Sequence, residues 1–274
     1  MIKLAYRTVG NSDGMGNFMG LWTLTHLFQI VPTFLFFALV SAVMAKLMGN
    51  LKPNRRYIPL QIIAAALLVL EVMKQINAAK GGSYDLYALP FHYCSLFLYL
   101  LPFHAFYHGK YSHITNTAAF GCLASLTLDM ILMPDVIYSA GNIKNFFGAF
   151  GDFHTVAFHN LVVFYFMLTV ALKLYELRTK HDLKVMSIFL AVYVTIAAIL
   201  SYSLKVNFHN LYRCNIPFIE DVRVAVVEKI GVFGTIIYVC VLFILTILFA
   251  FAAYGLARLV IKGIEKARGK RAAE

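Results

Sequence analysis

"LPFHYCSLFLYLLPFHAF", residues 89–106, is apolar enough to lie in a bilayer, yet it carries His92, Cys94 and His104. Hydrocarbon offers these groups no hydrogen bonds, so polar side chains at membrane depth face protein or a wet cavity and often mark a site. The remainder of the chain supports a membrane reading. Its 274 residues are 61% hydrophobic and only 14% charged, and mean hydropathy is +0.74. Those values lie outside the range of soluble domains.

Seven apolar runs are each long enough to cross a hydrocarbon core of about 30 Å at about 1.5 Å per residue. They cover roughly 21–46, 57–79, 87–107, 113–133, 153–176, 185–206 and 231–258. None alternates as the strands of an outer-membrane barrel do. The expected fold is therefore an all-α polytopic membrane protein of about seven transmembrane helices. A segment 1–20 precedes the single transmembrane domain 21–258, and a basic tail 259–274 follows it. Turn signals punctuate the runs at Gly49-Asn50, Pro53-Asn54, Gly81-Gly82, Gly109 and Pro134. The first residues lack a basic-then-apolar cleavable signal, so the first span is expected to act as the targeting signal.

The net charge of +11 does not point to nucleic acid, because Lys and Arg gather beside spans and form no stripe with interleaved aromatics. Fifteen of the 24 basic residues follow spans 1, 3, 5 and 7, among them Arg55, Arg56, Arg178, Lys180 and the group from Arg258 to Arg271. The positive-inside rule then places the N-terminus outside and the C-terminus in the cytoplasm, and the expected location is the cell membrane, a bacterial cytoplasmic membrane. Membrane lipids are the expected partners. Cys94, Cys122, Cys214 and Cys240 form no CxxC pair, so neither a disulfide framework nor a metal site is expected.

This topology converts sequence positions into depths. Cys94 lies about 10 Å, His159 about 9 Å and Glu71 about 12 Å below the outer boundary. His26, His92, Lys74, Gln75, Asp129, His154, Asn160, Asn207 and His209 fall in the same half or at its rim, while the inner halves read as mainly aliphatic and aromatic. A cavity open to the outer leaflet is the expectation. Glu71, Lys74 and Gln75 follow i, i+3, i+4 and share a helix face. His92 and Cys94 are two apart and do not, and at most one of His154 and His159 shares a tight site with Cys94.

Cys94 with His159 is the sharpest catalytic pair, since a buried thiol needs a base to become a nucleophile. Against it stands Cys94 as a small helix-contact residue. Glu71 either orients the base or forms an intramembrane ion pair with Lys74 that fixes helix register. Asp129 also reads as a span-end residue meeting solvent. His104 and His108 have HxxxH spacing, but Ala105 replaces the acid of HExxH, and they read as interfacial histidines. No cofactor or metal is implied. The polar stretch "NFHNLYRCNIPFIEDVR", 207–223, is either a lid carrying Asn207 and His209 or an interfacial connector.

"LPFHYC" at 89–94, "FHNLVVF" at 158–164 and "NFHNLY" at 207–212 resemble the YwaF-like bacterial integral membrane proteins, over roughly residues 20–255. That family is similar, at a distance, to eukaryotic membrane lipid acyltransferases and androgen-induced-type hydrolases. The resemblance implies a lipid-directed acyltransferase or hydrolase with Cys94 as nucleophile, His159 as its partner and Asn207 in a lid-side motif. His209 stands where an apolar residue is commoner. Two other classes compete: a small-solute or ion carrier using Glu71, Lys74, Asp129 and His159, and a non-catalytic ligand-binding membrane protein. Against the carrier, no span looks broken at mid-membrane.

Overall fold

The structure, a computed structural model, describes residues 22–80, 84–214 and 217–271. The segment 1–20 and the Gly81-Gly82 turn lie outside the described residues. The main helices are α1 (Leu24–Met48), α2 (Ile58–Ala79), α3 (Leu96–Phe106), α4 (Ser112–Leu132), α5 (Phe150–Ala171), α6 (Thr179–Leu204), α7 (Pro217–Ile230) and α8 (Val232–Arg271). No strand occurs among the described residues. Six of the helices are long and apolar enough to cross a membrane, and Tyr93–Phe106 is a shorter apolar segment. The chain is a multi-pass integral membrane protein.

Helix ends follow local chemistry. Thr23 caps α1 in a capping box with His26. Pro59 sits in the first turn of α2, where its missing N–H costs nothing. α6 stops at Lys205, which turns left-handed with φ 55°, so the helix does not run on to His209. Gly231, with φ +59°, makes the reversal between α7 and α8.

α4 is the central helix. Every residue from Thr117 to Leu126 is buried, and α4 packs against α3, α5, α6 and α8. Gly121 permits the close approach of α6, because a Cβ there would sit 2.6 Å from Met186. α1 packs on α5, and α5 on α2. Leu27, Phe28, Val31, Leu35, Phe36 and Leu39 of α1 stay exposed, the apolar surface a helix presents to lipid.

The third crossing departs from the expected continuous helix. Only Leu96–Phe106 is α-helical, a length of about 16 Å, roughly half a hydrocarbon core. Ahead of it lie two single 3₁₀ turns, Leu86–Ala88 and Tyr93–Ser95, joined by extended backbone. Pro90 supplies the reason, since it lacks an N–H and holds Leu89 extended at φ −56°, ψ 140°. Two glutamines of α2 fasten the segment at both ends. Gln75 donates to the Ala88 carbonyl at 2.8 Å and Gln61 to the Ala105 carbonyl at 3.1 Å. Residues 88–106 thus traverse the bundle antiparallel to α2 with their first part unwound. The end holding the C-terminus of α2 and the N-terminus of α5 is called upper here, and the end holding the N-termini of α4 and α6 lower.

Candidate functional site

The upper half contains a polar network built mainly on α2. Glu71 is only 9% exposed. Lys74 Nζ lies 2.8 Å from Glu71 Oε2, the helical neighbour contact that i, i+3 spacing dictates. Gln75 donates to Glu71 Oε1, and the Tyr84 hydroxyl donates to Gln75 Oε1. The network therefore runs from the unwound third crossing into the helix. The half-buried Lys74 ammonium offsets part of the several kcal/mol that the buried Glu71 carboxylate would cost alone.

α5 brings His154 to the same place. Its Nε2 stands 3.9 Å from Glu71 Oε2, too long for a hydrogen bond. That nitrogen is buried and has no partner in the protein, while the ring stacks on Phe158 with centroids 5.4 Å apart. One turn along, His159 donates Nδ1–H to the Thr155 carbonyl at 2.6 Å, which leaves Nε2 unprotonated in the neutral ring. Asp129 of α4 is within electrostatic reach of His159. Lys74 is the cation of this network, with His154 and His159 of α5 within its electrostatic influence.

The structure separates other residues from this network. No hydrogen bond joins Cys94 to His159 among the described residues, so the expected nucleophile and base do not meet as a pair. Cys94 is half-buried in the 3₁₀ turn leading into α3. His92 Nε2 donates to the Tyr87 carbonyl at 3.0 Å and its ring packs on Phe208. Asn160 accepts from the Tyr138 hydroxyl at 2.5 Å, and the Tyr138 carbonyl in turn accepts from His26 Nε2 at 3.1 Å. Asn207 Oδ1 accepts from the backbone N–H groups of Tyr212 and Arg213 and shapes its own turn. His209 lies under the bundle surface, stacked on Tyr93 at 5.4 Å, and donates Nε2–H to Thr246. The 207–223 stretch divides accordingly: its first part is anchored between α6 and α8, and its second begins the helix α7. There the Arg223 guanidinium, 2.6 Å from Glu220 Oε1, holds the Glu220 carboxyl below the ordinary glutamate range.

The lower half is more polar than the sequence reading allowed. His104 is 1% exposed and donates Nδ1–H to the Tyr165 hydroxyl at 2.7 Å, so it is a core residue and not an interfacial one. Asp182, also 1% exposed, accepts from the Tyr254 hydroxyl and the Arg178 N–H, each at 2.6 Å, and from Thr117 at 3.3 Å. Sequence inspection missed this cluster because "RTKHDLK" reads as a charged connector. The signal was there in Asp182, an acid in the first turn of a helix. Among the described residues no group of three or more His, Cys, Asp or Glu side chains is arranged to hold a metal ion.

The TMEM164 family signature matches residues 21–253, which takes in the Glu71 network and all of the lower polar cluster but Tyr254. The chain belongs to the TMEM164 family. No curated protein and no solved structure matches it. Membership therefore fixes the kind of protein, a polytopic membrane protein of this family, while the network around Lys74 supplies the chemistry from which a function is argued.

Proposed function

We propose that the chain is a membrane carrier for a small polar or ionic solute, with Glu71, Lys74, Asp129 and His159 lining the upper half of its path. The observation that carries this reading is the buried Glu71–Lys74 pair, tied through Gln75 to the third crossing where that crossing is unwound. Non-helical backbone at membrane depth is tolerated where it is buried in protein or lines a cavity, and carriers use broken helices at their substrate sites. The polar lower half supports the reading too, because His104, Tyr165, Thr117 and Asp182 continue hydrogen-bonding groups below the upper network. The upper end faces away from the cytoplasm in this proposal, since Arg55, Arg56, Lys110, Arg178 and Lys180 gather at the lower end.

Flux into proteoliposomes tests it, with a panel of labelled amino acids, organic anions and monovalent cations. Saturable uptake of one class is expected, falling at least about tenfold in Glu71→Gln, as loss of a charge-assisted contact implies. A protein that moves none of them overturns the proposal; a solute that raises thermal stability without flux reassigns the chain as a ligand-binding membrane protein.

One observation favours a second reading. Cys94 sits in the 3₁₀ turn that leads into α3, and a helix start favours a thiolate. In a lipid acyltransferase or hydrolase, Cys94 Sγ would attack an ester carbonyl and the C–O bond to the alcohol would break. The thiol proton, taken up by a histidine of α5, His159 or His154, would pass to the leaving alcohol. The acyl thioester would then pass to water or a second lipid. Hydroxylamine-labile label on Cys94 after incubation with labelled phospholipids would favour this chemistry over carriage.

A further inference from the structure

His154 brings a buried nitrogen to the upper network that no group of the protein satisfies. The residue is 9% exposed, and Phe150 and Phe158 wall its ring at centroid distances of 6.0 and 5.4 Å. Its Nε2 stands 3.9 Å from Glu71 Oε2, the same oxygen that Lys74 Nζ holds at 2.8 Å, while Gln75 occupies Oε1. One carboxylate oxygen therefore has two nitrogen neighbours, of which only the ammonium is bonded. The other elements packed around His154 add their own titratable groups. On its own helix His159 is within electrostatic reach, and Asp129 of α4 approaches His159 in turn. α1 offers His26, bonded to the Tyr138 carbonyl and 3.6 Å from Asp135. The short helix Ala140–Lys144 offers Lys144, which is exposed to solvent.

Charge balance limits what this arrangement can accept. With the His154 ring neutral, Glu71 and Lys74 cancel. An anion that binds the half-buried Lys74 ammonium draws it from Glu71 and leaves one net negative charge, which buried surroundings disfavour. A proton on His154 Nε2 restores neutrality, and a shift of about 1 Å then gives its N–H a charge-assisted bond to the freed Oε2. Anion and proton therefore bind better together than apart, and the coupling is reciprocal. Nε2 has no accessible surface of its own, whereas the Glu71 side chain keeps 11% of its surface, so the carboxylate is the proton's entry. The proton passes from water to Oε2 and then to the Nε2 lone pair, the N–H bond forming as the O–H bond breaks.

We propose, resting on the carrier reading, that this site takes a small organic anion together with one proton. The anion binds Lys74, the proton binds His154, and the imidazolium takes over Glu71. Transport of a monovalent anion is then electroneutral, because each anion brings one proton with it.

The first readout needs no transport. In nanodiscs of protein carrying isotopically labelled histidine, NMR follows protonation of His154, assigned by loss of its signal in His154→Gln. Removing the ammonium imitates its capture by an anion, so Lys74→Met is expected to bind that proton at least about tenfold more tightly than the wild type. Glu71→Gln/Lys74→Met, which keeps the pair neutral but removes the carboxylate, loses this gain. Equal proton affinity in the wild type and Lys74→Met, or a gain that survives in the double variant, overturns the proposal. The second readout is uptake of the labelled solute panel, with lactate and pyruvate among the anions, into proteoliposomes holding a pH-sensitive dye. One proton is expected to enter with each monovalent anion, faster under an inward proton gradient and unchanged by membrane potential. His154→Gln loses the gradient effect. Anion uptake without protons, or uptake confined to cations or neutral solutes, overturns the coupling and leaves the carrier reading standing. A protein that moves no solute overturns the carrier reading, and the proton site is then decided by the titration alone.

Discussion

Glu71 and Lys74 show how spacing becomes energy. Their i, i+3 relation brings them together on any helix, but whether the pair matters depends on burial, and Glu71 is buried by α5. Removing one partner strands the other charge. Glu71→Ala is expected to destabilise the protein by about 3 kcal/mol, measured by unfolding in mixed micelles. Glu71→Ala/Lys74→Met, which removes both charges, recovers most of that loss. Equal destabilisation by the single and double variants would show that packing, and not the unpaired ammonium, sets the cost. The neighbouring Cys94 and His159 teach the converse. Their expected depths agree, yet Cys94 lies in a 3₁₀ turn ahead of α3 and not on a helix face, and no hydrogen bond joins the two among the described residues.

The expected span starts at 21, 57 and 231 fall close to the helix starts at Leu24, Ile58 and Val232, where Thr23, Pro59 and Gly231 supply local capping or turn chemistry. The third crossing was legible as apolar but not as unwound. Hydropathy measures transfer to lipid and is blind to whether backbone N–H groups are satisfied within a helix or by a neighbour. Pro90 alone permits either a kinked helix or an extended lead-in; the side chain of Gln75, capturing the Ala88 carbonyl, selects the second. In a background without native cysteines, we expect Cys introduced at Leu86 or Tyr87, both exposed, to react with a water-soluble maleimide. Cys at Phe97 or Leu101, both fully buried, should resist it. Labelling of positions 97 and 101 as fast as 86 and 87 would contradict the boundary at Leu96.

The bundle also explains which parts of the chain are dispensable. α8, at 40 residues, is about 60 Å long and twice the hydrocarbon thickness, so the expected boundary at 258 is not a helix end. Tyr254 still belongs to the core through Asp182, whereas Leu259, Val260, Lys262 and Ile264 are exposed. Truncation after Lys262, which keeps the core contact of Ile261, is expected to leave the melting temperature within about 2 °C, while Tyr254→Phe lowers stability by about 1–3 kcal/mol by leaving Asp182 short of a donor. Thermal unfolding in detergent checks both, and a truncation as damaging as Tyr254→Phe would place the tail in the packed bundle. From the sequence alone came the membrane class, the approximate crossings and the shared face of Glu71, Lys74 and Gln75, because transfer free energy and helical period are properties of short stretches. The tertiary structure alone decided that His154 comes within 3.9 Å of Glu71, that Asp182 and His104 are buried and that the third crossing is unwound. Those outcomes depend on how helices distant in sequence are rotated and packed against one another, which no local pattern encodes.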